Sequence, residues 1–332
     1  MTAFISRRGA LSAAFASTVL PQPGYATASV PEAATLLVPG PEDGAHAELA
    51  RRAIAALSRG MPRAAALRVA VLGGPDGVTA ANRFATITPG EGRTLLLLPG
   101  AAGQAWLIGE SRARYEARTW PAVCAGLVPA VLAARPPPAG NTSPLRLAIP
   151  GPAAPEAGAL LALELIGRRA AAVVPPAGVT PEALVAAGAA DALVLTGADA
   201  LSRAAALGLE PRFAFDSAAM PRDPALPDIP GLAERLSDPA NPVLLDAARA
   251  AGAALRVRGV LVLPALTSAD TVALWRAAAR RWVEEDRDPA SEGPRRAADG
   301  EAVHALSALS PPAEVTLAYR EWLLRRLNWR AG

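Results

Sequence analysis

Short apolar runs separated by helical stretches constrain this chain more than any other feature of its sequence. Thr35 to Val38 is a short apolar strand, and Pro39-Gly40-Pro41-Glu42-Asp43-Gly44 is a tight loop. Ala45 to Leu57 then reads as a helix, with Leu49, Ala53 and Leu57 on one face and Glu48 four residues before Arg52 on the other. Leu67 to Leu72 is a second strand, Thr79 to Thr86 a helix and Thr94 to Leu98 a third strand. A second series follows: strand Leu145 to Ile149, helix Glu156 to Ile166, strand Ala171 to Val174, then strand Ala192 to Leu195. Before that last strand, Thr180 can cap a helix that has Pro181 at its first position. Strands alternating with helices predict an α/β fold of parallel sheets covered on both faces. Two such series, joined by the stiff connector Arg135-Pro136-Pro137-Pro138-Ala139-Gly140, predict two lobes.

The tail adds helices. Ser268 to Glu285 carries Val272, Trp275, Ala279 and Trp282 at helical spacing, which predicts a buried stripe. Asp286 to Gly300 is charged and turn-rich and reads as a surface loop. Ser310-Pro311-Pro312 opens a last helix, whose basic end (Arg325, Arg326, Arg330) suits the helix dipole.

At 332 residues and 52% apolar content the chain can bury a core of two-domain size, although much of that content is alanine. All 33 basic residues are arginine and none is lysine, a bias that reads as genome composition in a high-GC bacterium. The net charge is only +3 and the arginines are dispersed, without the concentrated basic stripe and interleaved aromatics of a nucleic-acid binder. The single cysteine, Cys124, permits no intramolecular disulfide and sits in the apolar run Ala122 to Val128, where a buried inert thiol is expected.

Residues Met1 to Ala28 read as an export signal. Ser6-Arg7-Arg8-Gly9-Ala10-Leu11 follows a twin-arginine pattern, an apolar stretch runs from Ala10 to Leu20, and Ala26-Thr27-Ala28 fits a small-x-small cleavage site. The apolar stretch is far shorter than the ~20 residues a bilayer span requires. The expected mature chain starts at Ser29, outside the cytoplasm.

The chain lacks a G-x-S-x-G elbow, a phosphate loop ending in Gly-Lys and an H-E-x-x-H helix. Two histidines and one cysteine cannot build a structural zinc site, and no cofactor is implied. Asp191, Asp199, Asp216 and Asp228 are scattered, with no spacing that marks an acid/base pair, and His304 reads as a surface or partly packed residue. No enzyme is expected. His46 opens the first helix after a glycine-containing loop, where unpaired N–H groups favour anions, so it is either a ligand contact or a solvated first-turn residue. Asp43 is read as the cap of that helix, with direct ligand contact as the alternative.

Three stretches resemble the receptors of tripartite tricarboxylate transporters, also called Bug proteins. Thr35-Leu36-Leu37-Val38-Pro39-Gly40-Pro41-Glu42-Asp43-Gly44-Ala45-His46-Ala47-Glu48-Leu49-Ala50-Arg51 resembles their opening I-V-P-F-P-P-G-G-x-x-D-x-x-A-R, and Gly92-Arg93-Thr94-Leu95-Leu96-Leu97 their D-G-Y-T-L-L strand. Arg222-Asp223-Pro224-Ala225-Leu226-Pro227-Asp228-Ile229-Pro230-Gly231-Leu232-Ala233-Glu234 is similar to R-S-P-x-L-P-D-V-P-T-x-A-E, with Phe213 to Ser217 standing where the family has an A-V-T-S strand. The matches keep the family order over Thr35 to Trp282.

The resemblance implies a type II periplasmic-binding-protein fold. Lobe one would comprise residues 29–124 and 220–332 and lobe two residues 125–219, each a mostly parallel sheet flanked by helices. It implies a receptor that closes by hinge motion on a small, carboxylate-bearing ligand and delivers it to a two-subunit membrane permease, working as a monomer in the periplasm. By position the ligand contacts would be Pro41, Asp43, Gly44 and His46; Pro99, Gly100 and Ala101; Pro152 and Ala153; Pro176; and Thr196 and Gly197. Two departures bear on the ligand. Ala47 stands where the family has aspartate. Pro150-Gly151-Pro152-Ala153-Ala154-Pro155-Glu156 replaces the donor-rich S-A-G-x-G-S, its prolines offering no N–H and Glu156 expected to repel an anion. That favours a monocarboxylate, an amide or a more apolar ligand over a dicarboxylate. A sensor or interaction protein with a vestigial cleft, and an exported enzyme, are the alternative readings.

Overall fold

The structure is a computed structural model that describes residues 31–63, 65–87, 92–136, 143–215, 222–236, 241–285 and 293–331. The expected export signal, Asp216, and residues 137–140 of the Pro-rich stretch lie outside the described residues. The first series comprises β1 (Ala33–Val38), α1 (Ala45–Gly60), β2 (Ala66–Val71), α2 (Val78–Ala85), β3 (Thr94–Leu98), α3 (Gly100–Ile108) and β4 (Ala122–Leu127). The second comprises β5 (Ala130–Ala134), β6 (Leu145–Ala148), α4 (Ala157–Leu165), β7 (Ala170–Val173), α5 (Pro181–Ala186), β8 (Ala192–Thr196), α6 (Ala200–Ala206) and β9 (Glu210–Ala214). The chain ends with α7 (Pro242–Arg256), β10 (Val257–Val262), α8 (Ala269–Glu285), β11 (Arg295–Ala298), α9 (Asp299–Leu309) and α10 (Ala313–Leu327).

These strands form two sheets flanked by helices, ordered β11-β4-β10-β3-β1-β2 and β7-β6-β8-β5-β9. In the first, β2, β1 and β3 are parallel neighbours, while β10 runs antiparallel between β3 and β4, and β11 runs antiparallel on the edge. In the second, β7, β6 and β8 are parallel, and β5 is antiparallel to both β8 and β9. The parallel parts are the two βα series read from the sequence. The chain passes from the first sheet to the second at Val128 and Pro129, where Val128 N–H donates to Arg256 O at 2.8 Å and Pro129 O accepts from Gly197 N–H at 3.0 Å.

Three sequence expectations need correction. The Pro-rich stretch joins β5 to β6 within the second sheet, so the passage between sheets lies earlier, at Val128-Pro129. The charged segment expected to be a loop through Gly300 becomes a strand at Arg295–Ala298, because Ala297 is a buried partner for Ala125 and Arg296 stacks over the Trp282 ring at 5.1 Å. Its Asp299 and Gly300 already belong to α9. Asp43 does not cap α1: the N-cap is Gly44, which has no side chain, and Asp43 is exposed one residue earlier.

Other local readings hold. Thr180 Oγ1 accepts from Ala183 N–H at 3.2 Å with Pro181 at the first helical position. Val272, Trp275, Ala279 and Trp282 are buried on one face of α8, and Trp275 Nε1 donates to Gly92 O at 3.0 Å, fixing the helix to the start of β3. Cys124 is fully buried in β4, and burial pushes its thiol pKa up to about 12.

The apolar core is continuous between the two halves. α3, on the first sheet, shares one buried cluster with β5, β6 and α4 on the second, through Leu107, Ile108, Leu132, Leu147 and Leu160. α7 fills the space between α3 and α4. Two glycines permit its close approach: a methyl group on Gly100 would lie 2.7 Å from Val257 O and closer still to Ala254 O, and one on Gly158 would overlap the Ala251 side chain.

Candidate functional site

The C-terminal ends of β1, β2 and β3 converge through their loops. Gly77, at φ +75°, packs so tightly that a side chain there would lie 2.6 Å from Pro99 Cδ and 3.2 Å from Pro39 Cγ. On the second sheet, Thr196 ends β8 opposite Ala130, the first residue after the passage between sheets. The two sets of strand ends therefore meet at one place, the crevice position expected of open α/β sheets.

One residue bridges that crevice and was not singled out from the sequence. Val257 of β10 pairs with Leu127 and Gly259 with Gly126, so β10 advances two residues while β4 advances one. Arg258 is the extra residue of this bulge, and bulges re-aim a side chain. Arg258 is exposed, and its Nη2 donates to Thr196 Oγ1 on the second sheet at 3.4 Å. Partial desolvation lowers its pKa from the ordinary arginine value. His46, half-buried in the first turn of α1, has its pKa lowered by burial and next by the nearby Arg258 charge, which favours the neutral imidazole. Arg258 and Thr196 thus join the two halves, with His46 within reach of the Arg258 charge. No sequence motif marks Arg258 among 33 arginines, since a bulge is a property of register.

The other expected contact residues divide by where their groups point. Pro99 and Gly100 are buried at the junction of α7 and β10, beside the backbone that carries Arg258, and Ala101 is exposed in the first turn of α3. Gly44 N–H donates to Pro41 O at 3.0 Å and Gly197 N–H to Pro129 O at 3.0 Å, so both donors are spent within the protein. Ala153 O accepts from the buried Gln104 Nε2 at 2.8 Å, which ties the loop before α4 to α3. Pro152 beside it is half-buried, while Pro41, Asp43 and Pro176 are exposed.

Glu156 is half-buried, and its pKa is raised, first by desolvation and also by the charge of Glu182. Arg203, the other cation near Thr196, is committed: it pairs with Glu182 at 2.5 Å and Asp199 at 3.4 Å and donates to Thr196 O at 3.1 Å.

The family-like stretch from Arg222 to Glu234 is a structural clasp. Arg222 pairs with Glu234 and donates to Pro227 O at 2.9 Å, while buried Asp223 lies 3.8 Å from buried Arg256. Asp191 pairs with Arg146, and His304 is exposed on α9. Among the described residues no group of three His, Cys, Asp or Glu side chains could hold a metal ion. A cavity of about 240 Å³ lies between α7 and α9, with Leu127 and Val257 of the β4–β10 pair in its lining.

A TctC solute-binding protein from Polaromonas shares this fold, with a TM-score of 0.65 over 88% of this chain and 97% of its own, at 19% identity. An R. palustris protein solved with adipate aligns over 90% of this chain and 98% of its own, at 15% identity and a TM-score of 0.49. MatC from Rhodopseudomonas palustris, solved with bound malate, aligns over 89% and 98%, at 20% identity and a TM-score of 0.45. No family model matches the sequence, and neither does any curated protein. The chain thus has the two-sheet α/β fold of the TctC solute-binding protein.

Proposed function

We propose that this chain is an extracytoplasmic receptor that holds a small carboxylate-bearing ligand between two lobes and acts without catalysis. The observation that carries this reading is the hydrogen bond from Arg258 to Thr196 across the crevice of a solute-binding fold. The passage at Val128-Pro129 moves the boundary from 124/125, which would cut β4, so lobe one comprises residues 29–128 and 220–332 and lobe two residues 129–219. The lobes close on the ligand, and the closed form is presented to a two-subunit permease of the tripartite tricarboxylate type. The twin-arginine-like leader supports export to the periplasm, and among the described residues no helix is long and apolar enough to cross a membrane. A monomer suits a crevice that must open and close.

A thermal-shift screen of residues 29–332, unfolded and refolded to strip bound solutes, tests the receptor reading. A ligand at a hundredfold excess over its dissociation constant stabilises by about 2.7 kcal/mol. That corresponds to a rise of several degrees in the midpoint. A shift confined to one class of mono-, di- or tricarboxylate is the expected result. A folded protein that responds to no carboxylate, amide or amino acid would favour the vestigial-cleft reading, which the spent Gly44 and Gly197 donors support.

A further inference from the structure

We infer that Arg258 is the charge anchor of the ligand site and restricts it to compounds with a single carboxylate. This rests on the receptor reading above and names the ligand class of that site.

Placement comes first. The bulge in β10 makes Arg258 the residue without a register partner on β4 and turns its side chain to the crevice instead of into the sheet. Its hydrogen bond among the described residues is to Thr196 Oγ1, at a length near the limit for such a bond. No carboxylate among the described residues pairs with it, whereas Arg146, Arg203, Arg222 and Arg326 each have one within reach. A guanidinium presents a planar fork of donors that matches a carboxylate in two parallel hydrogen bonds. Among the described residues one weak bond to a hydroxyl is all that engages the fork, which leaves its other donors for a ligand.

Charge distribution then limits the ligand to one anionic end. Arg203 is neutralised by Glu182 and Asp199. The loop before α4 presents Pro152 and Ala153, and the turn after β7 presents Pro176, none of which has a side-chain donor. The Ala153 carbonyl is held by Gln104 and the Gly197 amide by Pro129. A second carboxylate at this wall would be desolvated without a cation, a cost that rises steeply for a charged group. An apolar tail would lose nothing there. Thr196, already held by Arg203 through its carbonyl, keeps its hydroxyl beside the bound carboxylate and couples the anchor to the second lobe.

The test compares binding of hexanoate, benzoate, hexanamide, benzamide, succinate and adipate by calorimetry to the refolded mature protein and to the variants R258Q, R258K and T196V. Wild type is expected to bind a monocarboxylate and to reject its amide and the dicarboxylates. R258Q should lose about 100-fold or more in affinity, R258K roughly 10-fold through loss of the fork, and T196V only a few-fold. Circular dichroism should show R258Q folded as wild type, because the side chain is exposed and has no ion-pair partner among the described residues. Equal binding by wild type and R258Q, or a wild type that prefers a dicarboxylate or an amide, would overturn the anchor and leave the receptor reading standing. Wild type that binds none of the six at millimolar concentration would overturn the anchor, and if it also fails the wider thermal screen the receptor reading falls with it.

Discussion

Replacing Gly100 by alanine tests the packing of α3 against the end of α7, beside the bulge that carries Arg258. Gly100 opens α3 and faces the end of α7, with a would-be Cβ 2.7 Å from Val257 O and nearer still to Ala254 O. Both obstacles are backbone atoms, so no rotamer can relieve the overlap, and α3 must move away from α7. Overpacking of this kind costs about 1–3 kcal/mol, and the upper half applies where nothing yields. Alanine returns roughly 0.4–1 kcal/mol by restricting the unfolded chain. The net loss is about 1–2.5 kcal/mol, or roughly 2–4 °C in midpoint for a chain of this size. Gly151→Ala is the control: a Cβ there meets nothing within 4 Å, so the same substitution should be neutral or slightly stabilising. Differential scanning calorimetry of the two variants, with urea titration as a second measure, gives the comparison. If G100A unfolds no earlier than G151A, α7 does not lie against the start of α3 as described, and the account of how Val257 and Arg258 are positioned fails with it.

Two further outcomes follow from buried titratable groups. The lowered pKa of His46 means that the unfolded chain takes up a proton as pH falls through the ordinary value of 6.5 while the folded protein resists. The His46 contribution to stability is therefore retained above that pH, declines as pH falls below it, and levels off beneath the folded-state pKa. The difference in midpoint between wild type and H46Q, followed from pH 8 to pH 5, should shrink or reverse in that direction, and a constant difference would refute the assignment. Cys124, fully buried with its pKa near 12, should react with a thiol reagent only as fast as the native protein unfolds, and rapid labelling at neutral pH would contradict its placement in β4.

The βα series were legible because each pairs an apolar strand with a helix of clear 3.6-residue period, as in β1 and α1. β4 and β5 were not, because every residue of Ala122–Leu127 and Ala130–Ala134 is buried, and a strand covered on both faces leaves no alternation to read. α3 is hidden for the same reason, since nearly all of Gly100–Ile108 is buried and the helix has no polar face. α7 could have been found: Asn241 caps it, its Oδ1 accepting from Leu244 N–H at 3.1 Å, and Pro242 occupies the first helical position, a start signal written in the sequence. The loops of the candidate site were placed by resemblance, but their chemistry was not. Whether the Gly197 amide faces a ligand or the Pro129 carbonyl is decided by the φ of +108° at Gly197, which composition does not reveal.

The loss of donors in one loop and the presence of Arg258 in one bulge belong together energetically. A buried polar group deprived of a partner costs about 1–3 kcal/mol, so a carboxylate facing the run Pro150 to Glu156 in place of a hydroxyl-rich loop would forfeit several such interactions. Hydrogen bonds to a charged group contribute about 1.5–3 kcal/mol each, and a bidentate guanidinium supplies two of them. One arginine therefore offsets roughly two lost backbone or hydroxyl donors, but only where the guanidinium reaches. Arg258 reaches Thr196 and acts on His46, which lie at the strand ends, and Arg203 beyond them is already paired. In the proposed site the compensation would be complete at the Arg258 end and absent along the run Pro150 to Glu156. A ligand charged at both ends would gain at the first and lose at the second, whereas one with a single carboxylate and an apolar remainder would gain at the first and bury hydrocarbon at the second.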